Sequence, residues 1–369
     1  MRILCSPYTF KGTLSASEAA RAIGAGIERR RADATIGLLP LADGGTGTLD
    51  ALIAANGGEI LSMMADDPLG VARPVRWGIS ERRAILEAAE CIPLAGVPRH
   101  LRDPSRLGTA GLGAVILAAL AHRPESLAIG LGDTATHDCG LGIGSALGYR
   151  FLDGTGGALA PVGTSLARLA SIIPPDVSPN PHAVPVHVLC DVLNPLLGPD
   201  GAARCFASQK GADAATVDLL EEGSARFAEV AARDLGRSVA DIPGAGAAGG
   251  LGAGLAAFLG AELRGGGAAV LDALRFNERL AGIDLVITGE GRVDRKTLLG
   301  KGVGLVIERS RAAGVPVLVI AGRIDGDSAL RSMSGVRLLE LGGDGEIRPF
   351  DTLAGVVAKG LDGALREFR

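Results

Sequence analysis

Carboxylates, lysines and glycine-rich turns recur in this chain at the ends of short apolar runs. The densest group lies in IGLGDTATHDCGLGIGSAL, residues 129–147, where closely spaced glycines accompany Asp133, Thr134, Thr136, His137 and Asp138. The apolar Leu127-Ala128-Ile129 reads as a strand and Gly140 onward as a helix start, which puts the polar cluster in a strand-to-helix turn. In α/β proteins such turns lie at the carboxyl edge of the sheet, where ligands bind and the free N–H groups of a helix start attract anions. The plainer reading is a glycine-rich connector with Asp138 as an N-cap. Further polar loops carry Lys11, Asp43, Asp191 with Asn194, Lys210, and Glu290 with Asp294. Phosphoryl transfer uses such a set: acidic oxygens hold Mg²⁺, ammonium and backbone N–H groups neutralise phosphate, and one base orients the acceptor hydroxyl. No GxxxxGK[ST] pattern occurs, and no GxGxxG follows the first strand, so a kinase built on this chain has neither of those architectures.

Each residue also has a plainer role. Asp191 follows a strand and precedes Asn194-Pro195, which suits a catalytic or Mg²⁺-linked carboxylate and equally a turn-capping Asp. Glu290 and Asp294 reach metal or hydroxyl from one loop, or form surface ion pairs with Arg292 or Arg295. Lys11 and Lys210 suit phosphate or carboxylate binding; the alternative is ordinary surface lysines. In PGAGAAGG, residues 243–250, the bare backbone at Gly244, Gly246, Gly249 and Gly250 allows close approach of a phosphate or tight helix packing. His137 is suited to bind an acceptor's carboxylate or act as its base, or simply to complete a loop hydrogen bond. Cys139 reads as a small buried residue, and Trp77 and the methionines as core.

The elements that position these loops follow a repeated strand-loop-helix grammar. Strands are expected at 2–5 and 35–41, with helices over 15–31, opened by the capping box Ser15-Ala16-Ser17-Glu18, and over 49–55. Between residues 58 and 101 the grammar changes to short alternating strands at 60–64, 71–77 and 83–87. A helix over 111–121, a hairpin over 148–171, a strand at 186–189 and helices over 215–235 and 251–259 follow. The last third returns to the opening grammar, with strands at 284–288, 315–320 and 336–341 and helices over 302–312 and 352–368. The reading is an α/β protein: a parallel-sheet domain built from residues 1–59 and 283–369, with a mixed α/β domain of residues 60–282 inserted into it.

Composition narrows the function classes. The chain has 369 residues, 47% of them hydrophobic but only 3% aromatic, so its core is built from Ala, Val, Leu and Ile, and roughly two domains are expected. A formal net charge of −4 and no long basic run argue against a nucleic-acid partner. Five scattered cysteines without CxxC spacing argue for a reducing compartment, against a disulfide framework and against structural zinc. The start lacks a signal pattern, and no window approaches the roughly 18 apolar residues of a membrane span, so a cytoplasmic monomer or homodimer without a membrane partner is expected.

Five blocks carry a resemblance: SPYTFKGTLSASEAARAI, LADGGTGT, CDVLNPLLGPDGAARCFASQKGA, DIPGAGAAGGLGAG and DLVITGEGRVDRKTLLGK. In this order, from the first strand to about residue 325, they resemble the bacterial glycerate kinase family of glycolate and glucarate use. The resemblance implies a two-domain glycerate kinase I fold with a Rossmann/flavodoxin-like sheet domain, ATP with Mg²⁺, and phosphorylation of a hydroxyl of D-glycerate or a close relative, usually to 2-phosphoglycerate. It implies catalytic roles for Asp191, Asp294 and Lys11, and metal contacts from Asp191, Glu290 and Asp294. Substrate contacts fall to Tyr8, Lys11, Asp43, Thr134, His137, Asp138 and Arg292; nucleotide or phosphate contacts fall to Gly244, Gly246, Gly249, Gly250, Lys210, Asn194 and Lys301. Three departures stand out. Tyr8 replaces an Asp, Asp133-Thr134-Ala135-Thr136-His137-Asp138-Cys139-Gly140 replaces Gly-Ser-Ala-Thr-Asn-Asp-Gly-Gly, and Gly111-Leu112-Gly113-Ala114 stands where the family has Gly-Thr-Gly-Glu. They leave open a kinase of the same family re-specified for another hydroxy acid or alcohol, and a non-catalytic ligand-binding relative.

Overall fold

In a computed structural model of the chain, residues 1–10, 12–176, 184–293, 297, 302–325, 329–341 and 350–366 are described. Their strands are β1 (Arg2–Cys5), β2 (Thr35–Leu38), β3 (Glu59–Asp66), β4 (Ala72–Ser80), β5 (Arg83–Glu87), β6 (Ser126–Gly130) and β7 (Arg150–Leu152). β8 (Ser171–Ile173), β9 (Val186–Cys190), β10 (Glu262–Gly265), β11 (Leu285–Val293), β12 (Val317–Ile324) and β13 (Val336–Glu340) follow. The chain divides into two compact units, one of Met1–Asp43, Asp50–Ala55 and Gly267–Arg369, the other of Gly44–Leu49 and Asn56–Gly266.

The first unit holds a sheet in the order β13-β12-β11-β1-β2, parallel throughout. From β1 the chain winds one way to β2, and from β11 the other way through β12 to β13. The strand order therefore reverses between β1 and β11, the position where open α/β sheets bind ligands beyond their carboxyl ends. Helix Ala16–Glu28 begins at Ser15 as its sequence dictates: the Glu18 amide donates to Ser15 Oγ at 3.2 Å and the Ser15 amide donates to Glu18 Oε2 at 2.8 Å. Its buried Ala19, Ala22, Ile23 and Ile27 join Ile3, Cys5, Leu285, Ile287, Leu318 and Ile320 in one core cluster.

The larger unit holds a mixed sheet in the order β10-β9-β6-β5-β4-β3. β3 and β4 form the antiparallel hairpin that the alternating pattern announces, closed by a turn in which Asp67 Oδ1 accepts from the amides of Leu69 and Val71 and Gly70 takes φ +80°. β5, β6, β9 and β10 are parallel, so their carboxyl ends share one edge. Helices Ala110–Ala121, Ala214–Leu235 and Ala247–Leu259 line the core, where Phe258 meets the rings of Tyr149, Phe151 and Phe227 at 4.9 to 5.9 Å. β10 and the short helix Ala202–Phe206 carry no periodic signal in the sequence. Among the described residues no helix is long and apolar enough to cross a membrane.

Candidate active site

In the larger unit, β5, β6 and β9 end at Glu87, Gly130 and Cys190, and the polar loops collect beyond them. The Gly44–Leu49 segment lies directly on this edge. A Cβ on Gly44 would stand 2.4 Å from the Leu189 carbonyl, one on Gly130 2.4 Å from the Gly44 carbonyl, and one on Gly132 2.5 Å from the Gly45 Cα. Glycine is what lets these backbones touch. The contact places Thr46 beside the loop after β6, where its Oγ1 donates to Asp133 Oδ2 at 2.9 Å. Asp133 takes φ +52°, a left-handed conformation uncommon for a residue with a side chain, and its carbonyl accepts from the Leu94 amide at 2.8 Å.

Behind this exposed pair lies a buried polar layer. Asp138 accepts from Thr109 Oγ1 at 2.8 Å and from the amides of Thr109, Gly140 and Gly142 at 3.0 to 3.2 Å. Burial pushes its pKa up, while these donors oppose the rise. Through the Gly140 and Gly142 amides it braces the start of helix Leu141–Ala146, whose N-cap position is Gly140. Lys210 is buried, and its ammonium donates to the Thr136 carbonyl at 2.9 Å and to Thr134 Oγ1 at 3.3 Å; burial lowers its pKa to about 7, with Asp138 pulling the other way. Lys210 thus ties down the 134–136 loop and is no surface lysine.

His137 does not face an acceptor. Its ring is fully buried, with Nε2 3.0 Å from Ser224 Oγ on helix Ala214–Leu235, and burial, aided by the Lys210 charge, lowers its pKa to about 3. The imidazole is therefore neutral at physiological pH, and the position fills an interior hydrogen bond. Cys139 beside it is buried, its thiol pushed up to about 12 by burial.

The Cβ-side faces of the glycine-rich run at 244–250 are closely packed. The open faces of Gly244, Gly246, Gly249 and Gly250 meet, in turn, Cys190 Sγ at 3.0 Å, the Pro195 carbonyl at 2.2 Å, the Thr136 carbonyl at 2.2 Å and Cys139 Sγ at 2.6 Å from an ideal Cβ. Those faces are taken up by packing partners, one of the two uses the bare backbone allows, and the Gly246 amide is bonded within the same packing. Asn194 joins this packing: its carbonyl accepts from the Gly246 amide at 3.0 Å and its Nδ2 donates to the Asp200 carbonyl at 2.8 Å. Asp191, half-buried, directly follows β9.

Gly111-Leu112-Gly113-Ala114 lies in helix Ala110–Ala121. Leu112 is core, and a Cβ on Gly111 would lie 1.8 Å from the Asp66 carbonyl. Just before this helix, the Thr109 hydroxyl is bonded to Asp138.

In the first unit, the loop after β1 stays bonded to both neighbours. The Tyr8 amide donates to the Gly289 carbonyl at 2.8 Å, the Leu41 amide to the Pro7 carbonyl at 2.9 Å, and Thr288 Oγ1 to the Ser6 carbonyl at 2.7 Å. Tyr8 is consequently buried, and Asp43 follows at the same edge, half-buried. Glu290 Oε1 accepts from Thr297 Oγ1 at 3.2 Å, while Arg292 pairs with Asp325 at 3.0 Å across neighbouring strands. Arg292 therefore serves an exposed ion pair. Lys11, Asp294 and Lys301 lie outside the described residues.

Among the described residues no group of three His, Cys, Asp or Glu gathers to hold a metal. Mg²⁺ ordinarily takes only one or two protein carboxylates and completes its shell with water and phosphate oxygens, so the carboxylates of Asp191 and Glu290 offer suitable donor chemistry.

Sequence reasoning missed Glu87, Thr46, Thr109 and Ser224. Glu87 had a faint signal, a lone acid closing the apolar strand Arg83–Glu87, but its partners lie some forty residues upstream.

The sequence model described as "Glycerate kinase family" matches residues 3–340. A glycerate kinase of Bacillus subtilis (strain 168) is 42% identical over 332 residues, 89% of this chain and 86% of that protein. A glycerate 2-kinase of Escherichia coli (strain K12) is 40% identical over 338 residues, 91% and 89% of the two chains. A crystal structure from Salmonella typhimurium LT2, described as a glycerate kinase 2, superposes with a TM-score of 0.84 at 37% identity over 100% of this chain and 98% of that one.

Proposed function

Since the chain belongs to the glycerate kinase family, a phosphotransferase with an alcohol acceptor, we propose that it transfers the terminal phosphoryl group of ATP to a hydroxyl of D-glycerate or a closely related small hydroxy acid. With glycerate the product on this reading is 2-phosphoglycerate. The observation that carries the reading is the match of two proteins named glycerate kinase and glycerate 2-kinase over nearly nine-tenths of both chains.

The roles follow from carboxylates directly after β9 and β11 and, for Glu290, within β11 itself. Asp191, directly after β9, is our first assignment for the acceptor proton or for Mg²⁺; Glu290 and Asp294 are the second. Bound Mg²⁺ would neutralise charge on the nucleotide phosphates. Lys210, Thr134 and Asp138 hold the loop that carries Asp133, and Lys11 is our assignment for phosphate or acceptor carboxylate. A second reading, an acceptor other than glycerate, is favoured by Tyr8 in place of the family's Asp and by Asp133 in place of its Gly, since both change charge at strand-end loops.

A coupled ADP-release assay with ATP and Mg²⁺ over a panel of hydroxy acids and polyols tests both. Turnover on D-glycerate at about 1 s⁻¹ or more, an ordinary enzyme rate, is the expected result. Turnover only on another acceptor would establish the second reading, and silence over the panel would defeat the kinase reading.

A further inference from the structure

Glu87 is a buried carboxylate, 3% exposed, that none of the roles above uses. It stands at the end of β5, and both its oxygens accept from the Gly47 amide, at 3.1 and 3.0 Å; Oε2 also accepts from the Leu49 amide at 3.2 Å. Gly47 and Leu49 bracket the start of helix Thr48–Asn56, whose first amides have no acceptor inside the helix. Such a helix start is a ready anion site, and here an internal carboxylate occupies it. The bonds hold the Gly44–Leu49 segment against the ends of β6 and β9, where Thr46 reaches Asp133. Thr46 and Asp133 are exposed, so their bond lies where solvent and ligands have access, while the group that fixes it is buried.

We propose that Glu87 is a positioning residue of the phosphotransfer site: its buried carboxylate clamps the Gly47 and Leu49 amides and so presents Thr46 to Asp133, which the acceptor meets. The inference rests on the kinase reading and adds to it a residue that touches no reactant. Asp133 holds a left-handed backbone that a side chain disfavours, and strain of this kind persists only where surrounding contacts enforce it. The docked segment supplies one such contact through Thr46.

Glu87→Gln tests the clamp with little change in size. Both oxygens face the Gly47 amide, so either orientation of the new amide sets N–H against N–H. Hydrogen exchange read at Gly47 and Leu49 should quicken by about tenfold or more, with melting of the whole chain followed alongside. With D-glycerate, ATP and Mg²⁺, kcat/KM should fall on the order of tenfold or more, as expected when a loop that orients reactants shifts. Thr46→Val, on the exposed segment, should lower kcat/KM while leaving Gly47 and Leu49 protected. Because both variants break one chain of contacts, the double variant should be no worse than the worse single. Unchanged exchange in Glu87→Gln, full turnover despite faster exchange, or strictly additive losses would each overturn the proposal. Thr46→Val also decides the case should Glu87→Gln fail to fold, since full activity there would break the path to Asp133. A wild-type protein silent over the whole acceptor panel but with protected amides would overturn the kinase reading instead, and would reduce Glu87 to a structural tether.

Discussion

At the scale of single residues, His137 shows how burial redirects a side chain suited to catalysis. Its folded pKa of about 3 lies below the ordinary 6.5, so the unfolded chain binds a proton that the folded chain refuses. The residue is neutral in both states above pH 6.5, and it costs stability as pH falls from 6.5 towards 3, at about 1.4 kcal/mol per pH unit in the steep part. His137→Asn should therefore lose stability less steeply on the acid side, while acceptor preference stays as in the wild type. Urea midpoints between pH 7 and 4 measure the first, and parallel curves for the two proteins would contradict it. Lys210 runs at the other end of the scale: its pKa falls from 10.5 to about 7, so the cost of burying the ammonium is full below pH 7 and gone above 10.5. Stability from this group rises between those values, and Lys210→Met should flatten that rise in urea midpoints taken between pH 7 and 10.5. For Asp191, Asn in its place should lower kcat about 10²-fold or more if it takes the acceptor proton, with binding of nucleotide little changed. An Asp191→Asn enzyme of full turnover would move the role to Glu290 or Asp294.

At the scale of elements, local chemistry wrote much of the secondary structure into the sequence. The capping box at Ser15 and Glu18 opens helix Ala16–Glu28, and the strand Arg83–Glu87 and the helix Gly302–Ala312 match the expected bounds because apolar spacing and turn residues determine them locally. The run at 244–250 could not be decided in this way. Bare backbone serves a phosphate and a close packing partner equally, and only the neighbours brought in by the fold distinguish them. Here the 136–139 loop fills the space, so Gly250→Ala, at φ +79° and with Cys139 Sγ 2.6 Å from the new Cβ, combines backbone strain with overpacking. A loss of about 2–4 kcal/mol is expected from urea unfolding, and a loss below about 0.5 kcal/mol would show that the loop yields.

For the whole molecule, family membership and the two sheets together lead to one ligand test. If ATP binds with Mg²⁺ to the folded chain alone, saturating both at 100 times the dissociation constant should stabilise it by about 2.7 kcal/mol, seen as a rise in Tm that EDTA reverses. An unchanged Tm under conditions of turnover would exclude tight binding of the pair. By itself the sequence determined the α/β class, the strand-loop-helix order and the family, because apolar periodicity, glycine placement and long matching blocks are properties of contiguous residues. It also named the strand-end loops from which a site is built. Only the tertiary structure decided which of their residues face solvent and which face the interior: His137 and Lys210 inward, Thr46 and Asp133 outward, and the 244–250 glycines with their Cβ sides against carbonyls and cysteine sulfurs. Only it revealed Glu87, whose meaning lies in two amides about forty residues away. Burial and hydrogen-bond partnership are set by residues distant in the chain and adjacent in space, and no local pattern of residue types encodes them.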